Sequence, residues 1–189
     1  MPFWQNVGTA SLRKTGSGVL EMAAINTYTG TNTIEAGTLL ANNPVSSTGS
    51  GSVIVTNTGT LGGTGVVVGA VTVYSGASLA PGAWASVGTL TVSNNVTLKA
   101  GAIFNVDLAS VSSNDKLVCS NLVMAGYVNP NPLSGYNPPL NTEWTIATIT
   151  GAGPIDIAGA TTTGDYALRV SGASLILSKP SKSTVLFVR

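Results

Sequence analysis

Three segments of the 189-residue chain repeat one another at offsets of 18 and 19 residues. Val53–Leu61 reads VIVTNTGTL, Val71–Leu79 reads VTVYSGASL and Leu90–Leu98 reads LTVSNNVTL. Each runs apolar-x-apolar, then small or polar residues, then an apolar residue. A later echo, LRVSGASLIL at Leu168–Leu177, repeats the SGASL of Ser75–Leu79. A short fixed period constrains the fold strongly, because one repeat cannot bury its own apolar face and must stack on its neighbours. The alternation is that of a half-buried strand, and the Gly and Asn residues between strands supply the bends. No run of ten residues has helical periodicity, so the expected fold is all-β. A sandwich or jelly roll would pair its strands through hairpins. The regular period favours instead a β-solenoid of about 18–20 residues per coil. Coiled throughout at that period, the chain would make about ten turns and a rod roughly 48 Å long at the spacing of neighbouring strands.

Composition explains what such a rod shows to water. Only 8% of residues are charged, against about 25% in ordinary soluble domains. The outward positions therefore fall to the 24 Thr, 20 Ser and 15 Asn, whose side chains suit a pleated, solvated face. A net charge of +1 with scattered Lys and Arg offers no footprint for nucleic acid. No segment reaches the ~18 apolar residues of a membrane helix. The opening MPFWQNVGTASLRK lacks the apolar core of a secretory signal. Cys119, the single cysteine, has no internal disulfide partner and reads as a small buried hydrophobe in LVCSNLVM.

The whole chain, 1–189, reads as one solenoid domain. Clear repeats occupy 12–108. Irregular coils follow over 109–166, including the Pro-rich stretch NPNPLSGYNPPL at 129–140, which is expected to leave the rod because proline lacks the N–H a central strand donates. A last coil is expected at 167–178, then a linker and terminal strand at 179–189.

Chemistry is hard to find. There is no His to serve a serine nucleophile as base. Glycosidases need paired carboxylates, and of the seven acids, Asp156 and Asp165 form the pair that stacking could bring together. SSNDK at Ser112–Lys116 lacks the repeated acids of a calcium loop. The glycines near Gly49–Gly51 are not followed by the Lys-Thr or Lys-Ser of a phosphate loop. No catalytic residue, cofactor or metal ligand is assigned, and the expectation is a protein that is not an enzyme.

Leu12–Leu39 resembles the autotransporter-associated β-strand repeat, also called the passenger-associated transport repeat. LRKTGSGVL, NTYTG and TIEAGTL carry the resemblance in that order and spacing, and it continues through GSGSVIVTNTGTLGGTG, VTVYSGASLAPG and VGTLTVSNNVTLKAGAIF. It implies a right-handed parallel β-helix in an extracellular or cell-surface bacterial protein, and an association with passenger transport rather than enzymatic activity. Two departures stand out. Nothing here is long enough for the membrane β-barrel that ends an autotransporter. In PGAWASVG, Pro81–Gly88, Trp84 is an unusual bulk for a turn.

The ends of a solenoid expose unpaired backbone groups that template pairing with another chain. Neither MPFW nor STVLFVR looks like a charged cap. Phe3, Trp4, Trp84, Val185, Leu186, Phe187 and Val188 are therefore the expected assembly interface. The chain's main expected partner is itself, in a head-to-tail filament or surface layer built by strand addition. Surface glycans are a second candidate partner. A passenger fragment acting as an adhesin or stalk is the alternative reading, and a carbohydrate-active β-helix enzyme a third.

Overall fold

The computed structural model describes residues 8–82 and 85–181. Among the described residues sixteen strands run in chain order. They are β1 (Leu12–Lys14), β2 (Val19–Met22), β3 (Asn32–Ala41), β4 (Val53–Gly63), β5 (Val66–Val67), β6 (Val71–Val73), β7 (Ser78–Pro81) and β8 (Thr89–Leu98). They continue as β9 (Ile103–Leu108), β10 (Lys116–Met124), β11 (Tyr127–Pro132), β12 (Thr142–Ile149), β13 (Ile155–Asp156), β14 (Thr161–Thr162), β15 (Ala167–Ser171) and β16 (Ser174–Lys179). Among the described residues there is no helix. The chain is a parallel β-solenoid, in which strands pair with counterparts one coil away rather than with their sequence neighbours.

Three ladders surround one core. The first joins β1, the leading half of β3, the leading half of β4, β6, the trailing halves of β8 and β10, and β13. The second joins β2, the trailing halves of β3 and β4, then β7, β9, β11 and β14. The third joins β5, the leading halves of β8 and β10, and β12. The long strands serve two ladders by bending at a corner. The register between β3 and β4 shifts there after Ile34, and Asn57 takes a φ of 55° in the bend.

Because each strand alternates, identical registers stack like on like. One inward column of the second ladder runs Leu20, Leu39, Leu61, Leu79, Phe104, Val128. From Leu39 to Val128 every member is fully buried. A column of the first ladder runs Leu12, Asn32, Val53, Val71, Val96, Leu122, Ile155. Its second level is polar. The Asn32 side chain is buried, accepts the Tyr28 hydroxyl and donates to the Thr48 carbonyl at 2.9 Å, so its burial is offset by satisfied bonds.

The same column gives the coil lengths: 20, 21 and 18 residues for the first three steps, then 25, 26 and 33. Among the described residues the first ladder therefore has seven levels rather than the ten coils expected of the whole chain, and spans about 29 Å at the strand spacing. The third sequence repeat also stacks differently from its sequence offset. Val71 faces Val96, not Leu90. Leu90–Val92 lies instead on the third ladder, where Val92 faces Val67.

Two segments differ from expectation. Asn129–Pro132 does not leave the rod but extends β11 along β9. Tyr127 and Leu133 donate their N–H groups to Ala102 and Leu108 on the β9 side, so the alternate positions, Pro130 and Pro132, turn toward the edge beyond β14. No N–H is required of them there, and proline is tolerated. The expected last coil is an antiparallel hairpin. β16 runs antiparallel to both β12 and β15, and Trp144 of β12, paired with Leu177 of β16, is 2% exposed and donates to the Ser110 carbonyl at 2.9 Å.

Candidate functional site

The seven residues expected to form an assembly interface, Phe3, Trp4, Trp84, Val185, Leu186, Phe187 and Val188, all lie outside the described residues. Asp156 and Asp165 are both exposed. The Asp156 carboxylate accepts the N–H of Ala158 at 2.9 Å within its own turn. Among the described residues no group of three or more His, Cys, Asp or Glu side chains is placed to hold a metal ion.

The structure brings together a different pair, Asp107 and Asp115. They flank a groove of about 330 Å³ on the outer face of the second ladder. Its position follows from the register. Inward Leu39, Leu61, Leu79 and Phe104 leave their neighbours pointing out. The outward row one step along reads Leu40, Gly62, Ala80, Asn105 and Asn129 from coil to coil. Gly62 and Ala80 carry almost no side chain, so the surface dips between Leu40 and Asn105. Val19 and Leu40 form the apolar end. Asn105, Asp107, Asn129 and Asn131 form the polar end, and Pro81, Gly82 and Ala85 stand at the side.

The polar end is ordered by side-chain ladders. Asn129 donates to the Asn105 carbonyl oxygen at 2.9 Å, and Asn131 donates to the Asp107 carboxylate at 2.7 Å. Thr163 donates to the Asn129 carbonyl oxygen at 3.0 Å. Stacking at one-strand spacing puts identical amides within reach of one another, which is why Asn repeats here.

Asp115 fixes the side wall. Its carboxylate is 2% exposed and accepts two backbone N–H groups, from Gly88 at 2.8 Å and Asp107 at 3.0 Å. It thus ties the segment before β8 to β9. Burial pushes its pKa up to about 7, the neighbouring Asp107 charge adds to the rise, and the two N–H bonds oppose it. Both oxygens are occupied by the backbone, so this acid holds the chain in place. On the third ladder Cys119 is fully buried, and burial pushes its thiol up to about 12.

Sequence reading missed Asp107, Asp115 and the asparagines. The available signal is the outward pairs Asn105-x-Asp107 and Asn129-x-Asn131 in strands 24 residues apart, obscured because the prolines of the second give it the look of a loop.

Fold and site together define a parallel β-solenoid scaffold: one continuous core, a small-residue groove, and an acid committed to the backbone. The comparisons agree with a repeat of that kind. Residues 12–41 match the passenger-associated-transport-repeat family, so the chain carries the autotransporter-associated repeat. It is also 38% identical over 77 residues to the adhesin BmaC autotransporter of Brucella suis biovar 1. That match covers 41% of this chain and 2% of the adhesin's length.

The repeat's signature has a structural meaning. In LRKTGSGVL, Leu12 faces the core, and Arg13 faces out and pairs with Glu35 at 2.8 Å. Lys14 turns in at the corner. Gly16 takes a φ of 71°, and Gly37 of EAGTL lies so close under the Gly16 and Gly18 carbonyls that a side chain there would collide with them.

Proposed function

We propose that the chain is a rod segment of a surface-exposed passenger of the adhesin type, which presents a lateral surface and performs no chemistry. The observation that carries this reading is the parallel seven-level ladder that begins with the passenger-associated repeat. Its outward positions are rich in Thr, Ser and Asn, and Asn43, Asn114 and Asp115 spend their polar groups on holding the coil. The partial match to an autotransporter adhesin supports the same reading.

Antibody labelling of intact source cells, with and without external protease, tests it. Surface label that disappears on protease treatment is the expected result. Label found only after lysis overturns it.

A filament built end to end is the second reading. It is favoured by the open edges of β1 and β2, which have no strand beyond them among the described residues. It is opposed by the antiparallel β15–β16 hairpin, which does not continue a parallel stack. Negative-stain microscopy with and without Ser183–Arg189 separates the two. Isolated short rods in both samples favour the passenger segment, and filaments lost on truncation favour assembly.

A further inference from the structure

We infer that the groove between Leu40 and Asn131 binds a neutral oligosaccharide lying along the rod axis. The inference deepens the passenger reading by giving its lateral surface a ligand class.

Shape comes first. The groove crosses successive coils from Val19 to Asn131 and is floored at its middle by Gly62 and Ala80. Its lining residues follow one another from coil to coil along the axis, which suits a linear chain of rings better than a compact ligand.

The lining selects the chemistry. At the polar end, the Asn105 amide nitrogen, the second Asp107 carboxylate oxygen and the Asn131 carbonyl oxygen hold no hydrogen bond among the described residues, while their partner atoms are locked in the ladder. A fixed donor beside fixed acceptors matches a row of hydroxyls, each of which donates and accepts. At the other end, Val19 is 63% exposed. Together with Leu40 it offers an apolar surface for the C–H face of a ring.

Other ligand classes fit less well. Two carboxylates and no Lys or Arg line the groove, which disfavours anionic polymers. An extended peptide binds a sheet by pairing with a free edge. The floor strands β4 and β7 are already paired on both sides, so they have no ladder to offer.

The test uses the whole purified chain in titration calorimetry. The neutral probes are maltotriose, cellotriose, mannotriose and N-acetylchitotriose, with alginate and heparin hexasaccharides as anionic ones. At least one neutral trisaccharide is expected to bind with Kd below about 1 mM. Ala80→Leu, which fills the groove floor, and Asn105→Ala, which removes a donor, should each weaken that binding at least tenfold. Thermal melting checks that each variant folds, and if one does not, the other decides. Absence of binding to every neutral probe, preference for the anionic ones, or unchanged affinity in the folded variants overturns the inference. A protein that is exposed on cells yet binds no probe sinks the groove inference alone. Sugar binding by a protein found only inside cells sinks the passenger reading alone.

Discussion

The Asp115 carboxylate accepts the Gly88 N–H at 2.8 Å and so fastens the segment leading into β8 to the strand that carries Asp107. This contact is buried, and among the described residues no cation is paired with Asp115.

Its consequence is an unusual dependence on pH. The folded pKa is about 7, raised from 3.8. Between those values the folded chain holds a proton that the unfolded chain has released. The associated stability is fully present below about pH 4 and is lost as pH rises through 7. The swing is on the order of 4 kcal/mol at 1.36 kcal/mol per pKa unit. Denaturant melts at pH 5 and pH 8 should show the wild type more stable at pH 5, and Asp115→Asn should flatten the difference. A wild type more stable at pH 8 contradicts the assignment.

Close stacking makes one glycine column indispensable. A Cβ on Gly51 would collide with the Gly30 carbonyl oxygen, and one on Gly69 with that of Gly51. Backbone at this corner approaches backbone with no room between. Gly51→Ala is expected to cost at least about 2 kcal/mol through forced separation of coils. Gly18→Ala, where nothing lies within 4 Å of the new carbon, should stay within about 0.5 kcal/mol. Equal melting temperatures for the two variants would remove the stacking argument.

Cys119 gives a probe of the core. A fully buried thiol with its pKa pushed up to about 12 is a poor nucleophile. Maleimide labelling of the native chain at pH 7.5 should proceed only through opening of the third ladder, at least about a hundredfold slower than in denaturant. Rapid native labelling, or a disulfide-linked dimer on non-reducing gels, would place Cys119 at the surface.

How much of this was legible beforehand depends on whether the information is local. Val53–Val55 and Val71–Val73 align in sequence and in space because one coil separates them with no insertion. The resemblance at Leu12–Leu39 likewise marked a genuine coil. Val71 and Leu90 align in sequence and not in space, since the chain after β7 pairs with the third ladder at Thr91 and Val92 before it returns to the first ladder at Val96. Pro130 and Pro132 looked like loop formers because strand edges are not visible in a sequence. The hairpin of Val170 and Leu175 looks like a coil in sequence because its apolar alternation is the same in either strand direction. Asp115 was one acid among seven. Only the fold shows that a residue eight positions from Asp107 receives that residue's own N–H.

The repeat's lysine supplies the last prediction. Lys14 is 8% exposed, and its ammonium donates to the carbonyls of Thr15 at 3.0 Å, Gly16 at 2.7 Å and Ala36 at 3.0 Å. It stands in the inward column beside Ile34, Val55 and Val73, at the first level of the described residues. A methionine could fill the same volume but would remove the ammonium from all three carbonyls. Charge-assisted bonds of this kind contribute roughly 1.5–3 kcal/mol. Lys14→Met should therefore lower stability by about 2 kcal/mol and speed amide exchange in β1 and β3, while exchange in the distant β12–β16 pair stays unchanged. The neighbouring Arg13→Ala removes only an exposed pair with Glu35, and such pairs contribute little in water, so its exchange pattern should match the wild type. If Lys14→Met proves neutral while Arg13→Ala destabilises, the corner is held by the surface ion pair, and the repeat's basic dipeptide has its roles reversed.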